Sequence, residues 1–181
     1  MQRHKTPIFR LFHRDARGAA AVEFAFGALV LVIGLLNAVD VGYYAFERME
    51  VESAAQAGAQ AAWANCIDTT SMLPATQNCA GLNNAITTAI QGTSLGGAVA
   101  LASGFPSEGY YCATASGSLQ SVGSLAARPA DCTAAGSPGV GPGDYVQVGV
   151  SFPYAPLFPG LSVMGVLGIT SINTTSWMRL G

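Results

Sequence analysis

The stretch RGAAAVEFAFGALVLVIGLL, residues 17–36, decides the fold because it opens an apolar segment that runs from Ala19 to Val39. As an α-helix rising about 1.5 Å per residue, this segment would cover roughly 31 Å, which is enough to cross the hydrocarbon core of a bilayer. Its polar members are Glu23 and Asn37. We therefore predict one transmembrane helix, with a carboxylate near its beginning that needs an explanation.

Charged residues are few and unevenly placed. They make up 10% of the 181 residues, whereas half of the chain is hydrophobic. Most basic residues precede the apolar segment, and acidic residues follow it, which predicts that the N-terminus is cytoplasmic and the remainder lies outside. After residue 18 the basic residues are outnumbered by acidic ones and are only three: Arg48, Arg128 and Arg179. Such a surface excludes nucleic acid as the expected partner, since phosphate binding needs basic side chains.

The four cysteines all follow the apolar segment, and their spacing does not fit a zinc site. Two disulfides are the better interpretation, and they imply an oxidising compartment. Three connectivities are possible. Proximity favours Cys66 with Cys79 and Cys112 with Cys132, because each pair closes a short local loop.

Helical character continues past the membrane boundary in FERMEVESAAQAGAQAAWANC, residues 46–66, which lacks proline and is rich in Ala, Glu and Gln. We expect one helix from about Ala20 to about Asn65, half of it outside the membrane. Ala54, Gly58 and Ala61, with Asn65, form a small-residue stripe suited to close packing. Packing against the protein's own domain is favoured, and packing against neighbouring subunits is the alternative.

The domain beyond the helix is predicted to be mixed. A weak helix is expected over residues 81–91, and residues 92–143 are expected to form loops with short strands. DYVQVGVSF, residues 144–152, is a strand because Val146, Val148 and Val150 alternate with polar or small residues. ITSINTTSWMRL, residues 169–180, is a final strand antiparallel to it. The prolines between these strands end the first strand, and residues 161–167 are suited to a short helix.

These elements predict an α+β fold: a long N-terminal transmembrane helix extending out of the membrane, then a small disulfide-containing domain with a C-terminal antiparallel sheet. The expected division is a cytoplasmic leader at residues 1–18, the long helix at 19–65 with the anchor at about 19–39, and an exported domain at 66–181.

The sequence offers no positive evidence for catalysis. Both histidines lie in the leader, so the exported part has no histidine-based triad or metal site. The carboxylates there lie in loop-like sequence at no catalytic spacing, and solvated loops are the favoured interpretation: Asp68, Glu108, Asp131 and Asp144. We expect no enzyme activity, no cofactor and no metal.

The opening stretch resembles the prepilin-peptidase recognition site of Flp/Tad-type pilins, in which cleavage follows a glycine and glutamate is the fifth mature residue. Counted from Ala19, Glu23 is fifth and the aromatic Phe24 is sixth. Residues 17–65, with the AAQAGA segment at 54–59, more specifically resemble the TadE-like family of minor pilins or pseudopilins of the tight-adherence pilus. The C-terminal region, residues 145–180, resembles the family loosely.

The resemblance implies a structural protein of pilus assembly that a prepilin peptidase processes between Gly18 and Ala19. It implies partners among pilin and minor-pilin subunits and residence in the inner membrane, with passage into an extracellular pilus left open. Glu23 would neutralise the new α-amine of the same or a neighbouring subunit. The alternative for Glu23 is simple hydration at the membrane interface.

Two alternatives to this role remain open. The chain is an unprocessed single-pass scaffold of a pilus or secretion machine, or it is a secreted binding module or hydrolase whose signal peptide is cut near Asn37-Ala38. Separately, Asn37 and Asp40 either bond across helices or mark the outer membrane boundary, and the boundary interpretation is preferred.

Overall fold

The computed structural model describes residues 16–66 and 72–181. Its first element is one uninterrupted helix, α1, Ala16–Cys66. At about 1.5 Å per residue, a helix of this length extends roughly 77 Å, far more than a bilayer core requires. The long helix is therefore confirmed and starts a few residues before the expected position. Residues 1–15 of the predicted leader, with both histidines, and Asp68 lie outside the described residues.

The remaining elements form a small α+β domain. Two helices follow α1, then four strands, a short helix and a last strand: α2 Ala75–Asn78, α3 Leu82–Gln91, β1 Ala100–Leu101, β2 Ser107–Ala113, β3 Leu119–Ser121, β4 Gly143–Pro153, α4 Val163–Val166 and β5 Ser171–Arg179. α3 matches the weak helix expected over 81–91, and α4 lies within the stretch suited to a short helix.

Strand β4 is the centre of a single antiparallel sheet. One edge pairs with β5 along nearly its whole length, from Tyr145 opposite Arg179 to Pro153 opposite Ser171. The other edge pairs first with β2 and then with β1, and β3 pairs with β2. The predicted α+β class with a C-terminal antiparallel sheet is confirmed.

The core lies between this sheet and the C-terminal half of α1. Val146, Val148 and Val150 are fully buried, as the alternation predicts, and they face the helices. From α3, Ile86 and Ile90 fill the same space. Burying five such side chains supplies on the order of 1.5–3 kcal/mol each, so this layer is a major source of stability.

The small-residue stripe of α1 packs against the protein's own domain. Ala54 and Gly58 are buried, Ala61 is half-buried and Asn65 is exposed. A Cβ at Gly58 would lie 2.8 Å from Cγ2 of Ile90 and 3.1 Å from Cγ1 of Val148. Glycine is therefore required there by the close approach of α1 to α3 and β4.

Two disulfides staple the domain. Cys66 at the end of α1 bonds to Cys79, which follows α2, and Cys112 on β2 bonds to Cys132. These are the local pairings that proximity favours. The second disulfide lies in a separate small cluster with Tyr110 and Val122, away from the main core.

Candidate functional site

The N-terminal half of α1 presents an apolar surface that the domain leaves uncovered. The described chain has one helix long and apolar enough to cross a membrane, and its most apolar window has no buried residue. Large apolar side chains point outward along it: Val22, Phe24, Phe26, Leu29, Val30, Leu31, Val32, Ile33, Leu35 and Val39. A soluble chain would bury such a surface, because an exposed apolar stretch of this size marks an interaction with lipid or protein.

The four residues of the predicted processing and assembly site lie near the start of this surface. Gly18, Ala19, Glu23 and Phe24 are all on α1 and all exposed, and Phe24 is 78% exposed. Since helical residues four apart are neighbours, Ala19 and Glu23 share one face of the helix. Phe24 is the next residue and points about 100° away.

Among the side chains that the structure describes, at residues 18–66 and 72–181, Glu23 has no hydrogen-bond or ion-pair partner; the ion pair among them joins Arg48 and Glu52 on the C-terminal half of α1. A Cβ at Gly18 would meet no atom within 4 Å, so packing within the chain does not require glycine there. Both observations mean that the contacts within the described domain do not account for the choice of residues at these two positions.

A second polar site lies at the C-terminal end of the apolar segment. The side chain of Asp40 is buried, and it accepts hydrogen bonds from the backbone N–H of Leu157 at 2.7 Å and from the hydroxyl of Ser162. Asn37, one turn earlier, accepts from the backbone N–H of Val163 at 2.7 Å and donates to the carbonyl of Leu161 at 3.0 Å.

We call these hydrogen bonds of Asn37 and Asp40 the clamp. Their partners belong to the connection between β4 and β5, more than 115 residues away in sequence, and one of them, Val163, is the first residue of α4. The interpretation that Asn37 and Asp40 mark the outer membrane boundary stays a prediction. Two features of the sequence are consistent with the clamp: Asn37 and Asp40 are polar residues one helical turn apart, and the connection between β4 and β5 is long and uncharged. Sequence position alone does not bring the two segments together.

The carboxylates of the domain are not uniformly solvated, so that interpretation is wrong for two of them. Asp144 on β4 is completely buried. Glu108 on β2 accepts hydrogen bonds from the backbone N–H groups of Ala75 and Thr76 at 2.6 and 2.7 Å, which fastens α2 to the sheet. Asp131 caps a turn by accepting from two backbone N–H groups.

Asp144 and Glu108 lie on the same face of the sheet because Tyr110 is opposite Asp144 and Glu108 is opposite Val146. Burial raises the pKa of Asp144 to about 7, and repulsion from the Glu108 carboxylate adds to this, whereas Arg128 lowers it. Within the described residues neither carboxylate oxygen of Asp144 has a hydrogen-bond donor. The carboxylates of Asp144 and Glu108 repel each other when both are charged, and protonation of Asp144 removes this repulsion.

In the part of the chain that the structure describes, no cluster of three or more His, Cys, Asp or Glu residues suited to a metal ion occurs. A depression lined by Thr76, Asn84 and Phe105 holds no ionisable side chain.

These features fit a class: single-pass membrane proteins of α+β fold, in which an apolar helix continues into a domain held by disulfides. Residues 18–60 match the family model described as TadE-like protein, which confirms the resemblance seen in the sequence over that segment. The match covers less than half of the chain and indicates a protein associated with the Tad pilus, a structural and not an enzymatic family. No curated protein and no solved structure matches the chain.

Proposed function

We propose that this chain is a TadE-like minor pilin or pseudopilin, held in the inner membrane by α1, and that it takes part in assembling a Flp/Tad-type adhesion pilus. The observation that carries the proposal is the family match, which begins at Gly18 on an uncovered apolar helix. Its N-terminus is cytoplasmic and its domain periplasmic in this proposal, in agreement with the basic leader and the two disulfides.

We further propose that a prepilin peptidase cuts between Gly18 and Ala19. Glycine inside a helix is less favourable than alanine by roughly 0.5–1 kcal/mol, and a side chain at position 18 would meet no neighbour. Gly27 has the same free space on the same helix, so free space alone does not single out Gly18. What supports a peptidase as the partner is the place of Gly18 before Ala19, Glu23 and Phe24, which resembles a prepilin cleavage site.

After cleavage, the new α-amine of Ala19 would be one helical turn from Glu23. A carboxylate at the edge of a bilayer is unfavourable unless it is hydrated or paired, and an ammonium group nearby supplies a pair. Glu23 would therefore pair with the α-amine of its own helix or with that of an adjacent subunit. The exposure of Glu23 supports the intermolecular arrangement, because a neighbouring helix can reach it.

The test is the N-terminal sequence and intact mass of the membrane-extracted chain, produced with and without a prepilin peptidase. We expect the mature chain to begin at Ala19 only when the peptidase is present. Gly18→Leu should abolish this cleavage. Gly27→Leu is the matched control, since Gly27 lies on the same exposed helix with equal free space, and it should be cut normally.

A chain that still begins at Met1 in the presence of the peptidase would remove the processing claim and favour an unprocessed scaffold. A start near Val39 would indicate an ordinary signal peptide. The clamp argues against the latter, because a cut after Ala38 would separate Asn37 from its two partners in the domain.

A further inference from the structure

The connection between β4 and β5, residues 154–170, carries an apolar surface that the domain does not cover. It contains no charged residue. Five large side chains on it are 46–83% exposed: Leu157, Leu161, Val163, Val166 and Leu167. A surface loop normally carries polar side chains, so this composition needs an explanation outside the domain.

The connection is held against α1 at the turn that carries Asn37 and Asp40. Asn37 and Asp40 hold it through the hydrogen bonds of the clamp, which satisfy three of its backbone polar groups. Tyr154 at its start is buried, with its ring centroid 5.2 Å from that of Tyr44. The apolar side chains are therefore held beside the last turn of the segment that spans residues 19–39.

The surface of α1 stays apolar for about two turns on the C-terminal side of Asn37. Val39, Val41 and Phe46 are 56, 43 and 53% exposed, and the next acidic residue after the buried Asp40 is Glu47. Tyrosine and other aromatic residues favour the boundary between membrane and water, and Tyr43 and Tyr44 occupy this turn. Between Glu23 and Glu47, α1 thus presents no exposed charged side chain to a bilayer.

We propose that the β4–β5 connection inserts its exposed apolar side chains into the lipid headgroup and upper acyl region next to α1, so that the domain rests on the membrane surface. The occupant is lipid because headgroups extend about 5–7 Å beyond the hydrocarbon core, which covers the level of Asn37 and Asp40. The surface is continuous with that of α1. This inference rests on the proposed membrane anchoring of α1.

The experiment uses the full chain reconstituted into vesicles of phosphatidylethanolamine and phosphatidylglycerol. One added cysteine, Val166→Cys or Leu167→Cys, carries an environment-sensitive fluorophore. Quenchers are lipids with a spin label either near the headgroup or near the end of the acyl chain. Val30→Cys within the anchor and Val140→Cys, 57% exposed near the Cys112–Cys132 disulfide, serve as matched reference positions.

We expect the headgroup-level quencher to reduce emission at positions 166 and 167 by about twofold or more, and to leave position 140 unchanged. Position 30 should respond most to the deep quencher. If position 30 is quenched but positions 166 and 167 behave like position 140, the inference fails while the anchoring stands. If position 30 is not quenched, the anchoring itself fails.

A second copy of the chain is the competing occupant. In that case emission at position 166 would depend on the number of chains per vesicle and not on the quencher. Diluting the protein to about one chain per vesicle should leave the lipid quenching intact, and its loss on dilution would overturn the inference.

Discussion

Three carboxylates are buried in the described part of the chain, Asp40, Glu47 and Asp144, and the surroundings of Asp40 and Asp144 differ in kind. Asp40 accepts hydrogen bonds from a backbone N–H and a hydroxyl, so both of its carboxylate oxygens have a partner. Asp144 receives no donor from the described residues and lies near Glu108. Asp40 therefore contributes a structural contact, whereas Asp144 introduces a dependence on pH.

The pH dependence has a definite sign. Burial raises the pKa of Asp144 from 3.8 to about 7, so the folded chain holds a proton that the unfolded chain has released. The stabilisation is complete below the unfolded value and is lost as the pH rises toward 7, by at most about 1.36 kcal/mol per pH unit. Asp144→Asn should flatten this fall in the free energy of unfolding, measured by denaturant titration in detergent from pH 4 to about 8.

Asp131→Asn is the control with the opposite sign. Hydrogen bonds from Thr133 and Gly139 lower the pKa of Asp131, so its contribution is lost only when the pH falls below the usual carboxylate range. Asp131→Asn should leave the slope of the free energy of unfolding against pH unchanged between pH 4 and 7. An Asp144→Asn chain with the wild-type slope would show that the buried carboxylate does not cause it.

At the scale of elements, the packing of α1 depends on its glycines unequally. Gly58→Ala places a Cβ 2.8 Å from Ile90 and 3.3 Å from Ile86, and β-branched side chains adjust poorly. Overpacking costs about 1–3 kcal/mol and the gain in helix propensity returns up to about 1 kcal/mol, so we expect net destabilisation of about 1 kcal/mol.

Gly42→Ala is the matched substitution on the same helix. Its Cβ would meet no atom within 4 Å, so only the propensity gain of up to about 1 kcal/mol remains and the chain should become more stable. Thermal unfolding followed by circular dichroism measures both. Equal midpoints for the two variants would refute close packing at Gly58.

Elements with a strong local pattern could be predicted from the sequence, and elements that depend on distant partners could not. α1 lacks proline over its whole length, and β4 alternates Val146, Val148 and Val150 with small or polar residues. The sequence of β2, SEGYYCA at residues 107–113, shows no such alternation of apolar residues, and only Tyr110 and Cys112 of this strand are buried. The sequence therefore predicts only loops with short strands in this region, whereas β2 forms a major strand beside β4.

The same distinction applies to the candidate site. The order of Gly18, Glu23 and Phe24 is local, so the sequence alone predicts these residues as a site, and their role stays a prediction. The clamp on Asn37 and Asp40 depends on tertiary structure, since its partners lie between residues 157 and 163. The environment of Asp144 likewise depends on the register of β4 against β2.

At the scale of the whole molecule, the domain that follows α1 has two apolar clusters, each with its own disulfide. Cys66 belongs to the main core between α1, α3 and the sheet, and Cys112 and Cys132 belong to the small cluster around Tyr110 and Val122. The sequence separations of 13 and 20 residues predict similar chain-entropy contributions of about 3 kcal/mol each. The two disulfides should nevertheless stabilise different regions of the domain.

Replacing Cys112 and Cys132 together by serine should open β3 and the surrounding loops while α1, α3, β4 and β5 keep their protection, because the main core makes its own contacts. Replacing Cys66 and Cys79 should instead increase exchange at the end of α1 and in α3. Hydrogen exchange of the full chain in detergent, resolved by peptide, compares the two double variants. If both variants raise exchange equally in every element, the two clusters unfold as one cooperative unit, and local disulfide control of the outer part of the domain is excluded.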